Sequence, residues 1–248
     1  MIDTHCETAT LTEAMSSQSG RRTMKQTVEA AAQSAERREK KKAMRQEQLI
    51  DAAEKVFVER GYDAATIDMI TEEIGYNKRT FYLYFKDRDD VFFAVLLRSL
   101  GVLYALMRGA AEREPDGVSR LIAMGRAYYE YFRENPVYFE FNRIFETRVY
   151  YYHKKPGEDS GEFAARCQRA NDRITDLLIE AIKGGIKDRS IALKLGPKKL
   201  MLILWGMTFG LVEVILMRRP HLESSYQTSA DEVFGEYMSQ VRRFLEGK

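Results

Sequence analysis

The sequence predicts an all-α protein. Through most of its 248 residues, apolar side chains recur at intervals of three and four positions, which places them on one face of a helix. No run alternates clearly enough between apolar and polar residues to predict a strand. Prolines punctuate the helical segments at Pro115, Pro136, Pro156, Pro197 and Pro220. Together these observations predict about nine or ten helices.

Residues 1–43 differ in composition from the rest of the chain. They are rich in Ser, Thr, Gln, Ala and charged residues, and they lack the apolar core of a secretory signal. We expect a flexible tail here, in which residues 30–42 could form a frayed helix. The first helix should follow from about residue 44 and end at Gly61. Its apolar face comprises Leu49, Ala53, Val56 and Phe57.

A short helix is predicted before Gly75. Thr66 is a good N-cap residue, and Asp68 in the first turn is favoured by the positive end of the helix dipole. Gly75 can adopt the left-handed conformation that ends a helix. The buried face would comprise Ile67, Ile70 and Ile74.

The helix after Gly75 has one apolar and one polar face. Asn77 can cap it, and Phe81 and Phe85 fall one turn apart on the apolar side. The polar side consists of Asn77, Lys78, Arg79, Thr80, Tyr82 and Tyr84. Asp87 can cap a long third helix that continues to about residue 113.

Two short helices joined by a turn and followed by a long one are the layout of a helix-turn-helix DNA reader. The cations, hydroxyls and amide of the polar side suit phosphates and base edges. Arg79 could bind guanine O6 and N7 in a bidentate way, whereas Lys78 would act as a point charge. Arg88 lies at the start of the third helix, where exposed backbone N–H groups also attract a phosphate. The alternative at this point is an ordinary three-helix bundle with a solvated surface.

The segment GYNKRTFYLYFKDRDDVF closely resembles the signature of the TetR family of bacterial transcriptional regulators. The resemblance implies an N-terminal three-helix helix-turn-helix DNA-binding domain over residues 44–104, followed by a helical ligand-binding and dimerisation domain over residues 105–248. The DNA contacts that it implies are Thr66, Asn77, Lys78, Arg79, Thr80, Tyr82, Tyr84 and Arg88. Tyr76, Asn77 and Arg79 depart from the residues usual in the family, so its base preferences cannot be transferred. The basic residues at 37–42 could form an arm along the same DNA, but a solvated tail is the favoured interpretation.

The helices expected over about 117–134 and 137–150 are dense in aromatic residues. Aromatic residues at helical spacing more often form packed core than a pocket. The resemblance nevertheless places an inducer pocket among these helices, and the candidate ligand-binding residues are Tyr128, Phe132, Phe141 and Phe145. Such walls would suit a small apolar, aromatic or acyl ligand, with Arg126, Arg143 or Arg148 available for an acidic end.

Residues 200–217 are apolar on almost every side. This segment could pass for a membrane span, but it is barely about 18 residues long, contains Glu213 and is bounded by Pro197 and Pro220. A soluble chain can hide such a helix between its own domain and a second subunit. The resemblance implies the same two-fold interface, with a partner helix over about 231–245. The expected dimer contacts are Leu211, Val214, Phe234, Tyr237, Met238 and Val241.

Several other classes of protein are not indicated. The chain has no phosphate-cradling loop, nucleophile elbow or evident pair of carboxylates that would predict an enzyme, and no cofactor is implied. The histidines and cysteines lack the spacing of a metal site or a disulfide framework. We therefore expect no bound metal and a reducing cytoplasm. A formal net charge of +2 is too small to indicate a nucleic-acid partner by itself.

With the resemblance, these features predict a homodimeric transcriptional repressor. It would bind an inverted-repeat operator in double-stranded DNA and be released by a small-molecule inducer, with no membrane partner. The alternatives left open are a membrane-anchored helical sensor with a DNA-binding head, and an activator or ligand-independent regulator.

Overall fold

The structure, a computed structural model, describes the backbone of residues 6–149 and 162–248 and the side chains of residues 32–147 and 162–248. The tyrosines at 150–152, His5, His153 and the side chain of Arg148 lie outside this part of the chain. Two units are distinguished, one ending at Leu49 and one over Ile50–Lys248.

Helix α1 spans Cys6–Arg60. The tail that was expected to be flexible over residues 1–43 is therefore helical from Cys6 onward, and the first helix does not begin near residue 44. Side chains over residues 32–45 are exposed, so burial does not explain this helix. Its cause is local, because this stretch is dense in Ala, Glu, Lys, Arg and Gln, which are strong helix formers.

Helices α2 (Ile67–Glu73), α3 (Lys78–Phe81) and α4 (Arg88–Ala111) begin at the three caps predicted from the sequence. Thr66 Oγ1 accepts a hydrogen bond from the Met69 N–H at 3.3 Å. The side-chain oxygens of Asn77 and Asp87 each accept one from a backbone N–H three residues on, at 2.8 Å. Gly75 has a φ of +66°, which confirms the left-handed end of the α2 segment.

The remaining helices form the larger part of the bundle. They are α5 (Gly117–Glu134), α6 (Pro136–Ile144) with a π-helical turn over Phe145–Val149, α7 (Glu162–Asp188), α8 (Pro197–Arg218), α9 (Leu222–Tyr226) and α10 (Ala230–Glu246). No strand occurs in the described ranges, and the all-α prediction is confirmed. Helix α4 packs against α5 and α7. It also runs through the domain boundary expected between residues 104 and 105, so no linker separates the two parts there.

Helices α5 and α7 meet backbone to backbone at one end. A Cβ added to Gly117 would lie 2.2 Å from the Gly185 Cα, so only glycine permits this approach. The Gly117 N–H donates a hydrogen bond to Asp188 Oδ2 at 3.0 Å, and the Val118 N–H donates one to Ser190 Oγ at 3.2 Å. The start of α5 is therefore fixed to the end of α7.

Helix α10 packs its apolar face onto α5 of the same chain, which corrects part of the expected dimer interface. Phe234, Met238 and Val241 are buried, and the Phe234 ring stacks on Tyr129 with centroids 4.0 Å apart. Tyr237 is half-buried and exchanges a hydrogen bond of 2.9 Å with Thr208. An amphipathic helix has a single apolar face, and here that face is used within the protomer.

Helix α8 keeps an apolar face toward solvent. Its inner side buries Leu200, Leu204, Val212 and Ile215. Its exposed apolar residues are Leu202, Ile203, Met207, Val214 and Met217. Of the two dimer contacts predicted on this helix, Val214 is exposed and Leu211 is half-buried.

Two helical segments are long and apolar enough to cross a membrane. They are Arg88–Ala111, whose most apolar window is 56% buried, and Pro197–Tyr226, whose window is 22% buried. The first is a core helix by its burial. The second owes its low burial to the exposed face of α8.

Candidate nucleic-acid interface and ligand cavity

Helix α3 is anchored from behind by two phenylalanines. Phe81 and Phe85 are 0% and 1% exposed, and their ring centroids lie 5.6 Å apart. Phe85 also contacts Phe163 at the start of α7, with centroids 5.6 Å apart. Because its apolar side is fixed in this way, the opposite side of α3 projects into solvent.

The outward side of α3 carries the groups that the sequence predicted. Asn77, Lys78, Arg79 and Tyr82 are exposed, and Thr80 and Tyr84 are half-buried. Leu83 is also exposed, at 69%, and was not among the residues singled out from the sequence. Over the described residues, Arg79 and Lys86 form no ion pair, so their charges are available to a ligand.

Two of the predicted contacts already have partners. Lys78 Nζ lies 2.9 Å from Asp68 Oδ1 on α2, and this hydrogen bond raises the pKa of Lys78. Asn77 Oδ1 accepts hydrogen bonds from both the backbone N–H and the hydroxyl of Thr80. Asn77 can therefore only donate to DNA, through its amide nitrogen.

Arg88 has structural contacts besides the phosphate contact expected of it. Its guanidinium donates to the carbonyl oxygens of Tyr62 and Ala65 at 3.1 and 3.3 Å, and it lies over the Tyr62 ring at 4.4 Å. Tyr62 in turn donates to Asp89 at 2.8 Å, and burial raises the pKa of this tyrosine to about 12. Arg88 thus ties the loop after α1 to the start of α4, and one of its guanidinium nitrogens is occupied by these carbonyl oxygens.

An apolar cavity lies between α4, α5, α7, α8 and α10. One part, with a volume of about 50 Å³, is lined by Leu121, Leu204 and Val241 among others. A wider part of about 280 Å³ opens beside α6 and α7. Both parts share the residues Met107, Tyr128, Leu178 and Trp205. The wider part comes close to the lower end of the range typical of small-molecule sites, roughly 300–1,000 Å³.

The cavity contains only one of the four ligand-binding candidates. Tyr128 lines it, whereas Phe132, Phe141 and Phe145 are 1–2% exposed and do not. Phe141 packs against Phe57 and Phe92 with centroids 6.2 and 5.3 Å apart. Most of the aromatic cluster is therefore core. The sole tryptophan, Trp205, was missed because it lies in a segment whose apolar character was assigned to dimerisation.

Two of the three arginines considered for an acidic ligand, Arg126 and Arg143, do not line this cavity, and the side chain of Arg148 lies outside the described residues. Arg143 is paired with Glu140 at 2.6 Å, and Arg126 lines a separate surface groove with Arg113 and Arg242. No cluster of His, Cys, Asp or Glu in the described portion is arranged to hold a metal ion.

Two short helices around a glycine turn, an outward polar face and a long third helix define a helix-turn-helix protein. The sequence model for "Bacterial regulatory proteins, tetR family" matches residues 49–95. The chain is 30% identical over 138 residues to the HTH-type transcriptional activator FasR of Mycolicibacterium smegmatis, covering 56% of this chain and 58% of FasR. It is 34% identical over 62 residues to the fatty acid metabolism regulator protein of Bacillus subtilis, covering 25% of this chain and 32% of that one.

The fold extends over more of the chain than these alignments. The crystal structure of the transcriptional regulator FadR from Bacillus subtilis in complex with stearoyl-CoA superposes with a TM-score of 0.59 and 16% identity, covering 79% of this chain and 97% of FadR. The chain therefore resembles the tetR family in sequence over residues 49–95, and it resembles a solved transcriptional regulator in fold. It spans 58% and 32% of the lengths of FasR and of the fatty acid metabolism regulator protein.

Proposed function

We propose that this protein is a ligand-controlled transcriptional repressor that binds an inverted-repeat operator as a homodimer. The observation that carries the proposal is the polar face of α3, which projects into solvent while Phe81 and Phe85 anchor the helix from behind. The major groove of double-stranded DNA is wide enough to admit such a helix.

Base recognition is assigned to Arg79 and Asn77. Arg79 is exposed and can donate two parallel hydrogen bonds to guanine, whereas Asn77 can donate from its amide nitrogen. Contacts to the phosphate backbone are assigned to Thr66, Lys78, Tyr82 and Tyr84, and also to Thr80 once its hydroxyl turns from Asn77 to a phosphate; these contacts fix the register of the helix. Arg88 is left out because the loop after α1 occupies one of its guanidinium nitrogens.

Dimerisation is assigned to the outward face of α8. Ile203, Met207, Gly210, Val214 and Met217 recur at intervals of three and four residues, so they form one stripe along the helix. A Cβ at Gly206 or Gly210 would meet nothing within 4 Å, which leaves room for the backbone of a second helix to approach. A two-fold dimer formed on this stripe would present two copies of α3 to the two half-sites of an operator.

The cavity beside Tyr128 is assigned to an inducer with an apolar or aromatic body, such as an acyl chain. Its lining by Met107, Leu178 and Trp205 supports this class. The solved FadR structure holds stearoyl-CoA, whose acyl chain is an apolar body of this kind; the polar end of the ligand is a separate question.

Helix α6 and its π-helical turn connect the cavity with the DNA-binding helices. Asn142 and Glu146 line the cavity, while Tyr138 and Phe141 on the same segment contact α1. The Tyr138 hydroxyl donates a hydrogen bond to Glu54, and Phe141 packs edge-on against Phe57. A ligand that favoured a shifted α6 by about 1–3 kcal/mol would weaken operator binding about 5- to 150-fold.

The proposal also includes that the protein is soluble and cytoplasmic, and that it acts by binding and not by catalysis. The rival is a membrane-anchored sensor, since the segment Pro197–Tyr226 is apolar enough to span a bilayer. The burial of Leu204 and Val212 against the protomer favours a core and interface helix. Fractionation tests this point, because an anchored protein would be recovered only with the membrane pellet.

An activator is the second candidate function. The relative with the longer alignment, FasR, is named a transcriptional activator. Repression and activation use the same DNA-binding geometry and differ in where the operator lies relative to the promoter. A reporter with the selected operator overlapping the promoter distinguishes them, since a repressor lowers its output.

Selection of bound fragments from random double-stranded DNA tests the central proposal. The purified protein should enrich an inverted repeat whose half-site centres are about 34–36 Å apart, or a related spacing on one face of the duplex. Failure to enrich any sequence at modest ionic strength would contradict the proposal. Enrichment of a single half-site would support the proposed DNA contacts and contradict the proposed dimer.

A further inference from the structure

Two buried polar atoms at the cavity have no hydrogen-bond partner among the residues that the structure describes. They are the hydroxyl oxygen of Tyr128 and the side-chain carbonyl oxygen of Asn142, on residues that are 8% and 6% exposed. Both residues line the wider part of the cavity. Unpaired buried polar atoms are rare in native proteins, so these two are positioned to pair with something that enters the cavity.

A third polar group at the same place is Glu146. It lies in the π-helical turn over Phe145–Val149, a kind of turn that often occurs at functional sites. Glu146 Oε1 accepts a hydrogen bond from the Asn171 amide at 3.3 Å. Burial raises the pKa of this carboxyl group, although the hydrogen bond from Asn171 opposes the shift.

The charged side chains among the described lining residues of the cavity are all acidic. The ionisable acids are Glu146 and Asp172, and no lysine or arginine accompanies them. The other polar side chains there are amides and hydroxyls, including Gln168 and Thr175. Among the described lining residues, a ligand carboxylate or phosphate would therefore meet the partly buried Glu146 with no cation beside it, which is unfavourable.

We propose that the inducer is an apolar molecule whose polar end donates hydrogen bonds and carries no negative charge. Amines, alcohols and amides belong to this class, whereas free carboxylates and acyl-CoA do not. The donor end would lie against Asn142, Glu146 and Tyr128, and the apolar body would extend toward Leu121 and Val241. This inference rests on the proposed ligand control and narrows the ligand class.

The test uses a series matched in chain length: decylamine, 1-decanol, decanoate and decanoyl-CoA. Trp205 is the only tryptophan in the chain and lines the cavity, so its fluorescence reports occupancy directly. We expect decylamine and 1-decanol to bind at least about tenfold more tightly than decanoate and decanoyl-CoA.

Two substitutions assign the effect to the polar end. Glu146→Gln keeps the shape and removes the charge, so the advantage of decylamine over 1-decanol should shrink and decanoate should bind better. Tyr128→Phe removes one hydroxyl and should weaken 1-decanol. Glu180→Gln removes an equal charge from an exposed position on α7, outside the cavity lining, and should leave the order unchanged.

Tighter binding of decanoate or decanoyl-CoA than of both other compounds would overturn the inference, as would the absence of any Trp205 response to the whole series. Release of operator DNA is measured separately on the same samples. Binding in the expected order without DNA release would refute ligand control and leave the site assignment intact. Release by decanoate in preference to decylamine would retain ligand control and refute the ligand class.

Discussion

Asp68→Asn should strengthen operator binding while it weakens the fold. Asp68 holds Lys78 at 2.9 Å, and both side chains are 56% exposed. Exposed pairs of this kind contribute about 0.2–1 kcal/mol, which Lys78 must give up before it can bind a phosphate. Removing that competition should tighten binding about 1.4- to 5-fold and steepen the salt dependence by up to about one counterion.

The same substitution should lower stability, because Asp68 lies in the first turn of α2. A carboxylate there contributes about 0.3–1 kcal/mol through the helix dipole. Fluorescence anisotropy with labelled operator, measured at several salt concentrations, gives the affinity, and thermal unfolding gives the stability. The gain in affinity should disappear in the Lys78→Met background, where no cation remains to be released.

Glu72→Gln is the matched control, because it removes one negative charge from an exposed position on the same helix. If Asp68→Asn binds operator no better than Glu72→Gln does, Asp68 and DNA do not compete for Lys78. If the gain persists in Lys78→Met, it arises from long-range charge and not from the pair.

Three further outcomes are expected. Arg79→Ala should cost about 1–3 kcal/mol and relax preference at one base pair, whereas Arg113→Ala should change little; equal weakening on all sequences would make Arg79 a phosphate contact. Met207→Glu should yield monomers in sedimentation, while Phe234→Ala should remain dimeric and lose about 3–5 kcal/mol of stability because it empties a core position; the opposite pattern would place the interface on α10. Hydrogen bonds from Tyr129 and Arg133 lower the pKa of Asp231 below its usual 3.8, so they stabilise the fold above that pH and cease to do so as the pH falls through the folded-state value. Asp231→Asn should therefore cost about 0.5–1 kcal/mol near neutral pH, and a difference from wild type that did not shrink as the pH is lowered below 3.8 would contradict this assignment.

Features set by local chemistry could be predicted from the sequence. Thr66, Asn77 and Asp87 cap their helices as expected, because capping depends on one side chain and the next three residues. The anchoring of α3 by Phe81 and Phe85 followed from helical spacing alone. The outward polar face, and with it the set of candidate DNA contacts, follows from the cap at Asn77 and from the buried positions of Phe81 and Phe85.

Features that depend on which surfaces meet could not be predicted. The stripe containing Phe234 is equally apolar whether it packs on its own protomer or on a partner, so its sequence did not distinguish α5 from a second chain. The cavity joins residues far apart in the chain, such as Met107, Leu178 and Trp205. The structural contacts of Arg88 were missed because its partners are backbone carbonyls of Tyr62 and Ala65, which no side-chain pattern reveals.

The contact between Gly117 and Gly185 fixes that end of α7, so the helix can tilt only about this point. From Gly185 the helix extends about 33 Å to Phe163, at about 1.5 Å per residue. Leu178 lies partway along it, where an entering molecule would push, and Phe163 at its tip touches Phe85 behind the polar helix. A tilt of about 3° would carry that tip about 2 Å. A ligand that tilts α7 by this small angle, without disturbing the rest of the bundle, could thus displace α3, the proposed DNA-reading helix.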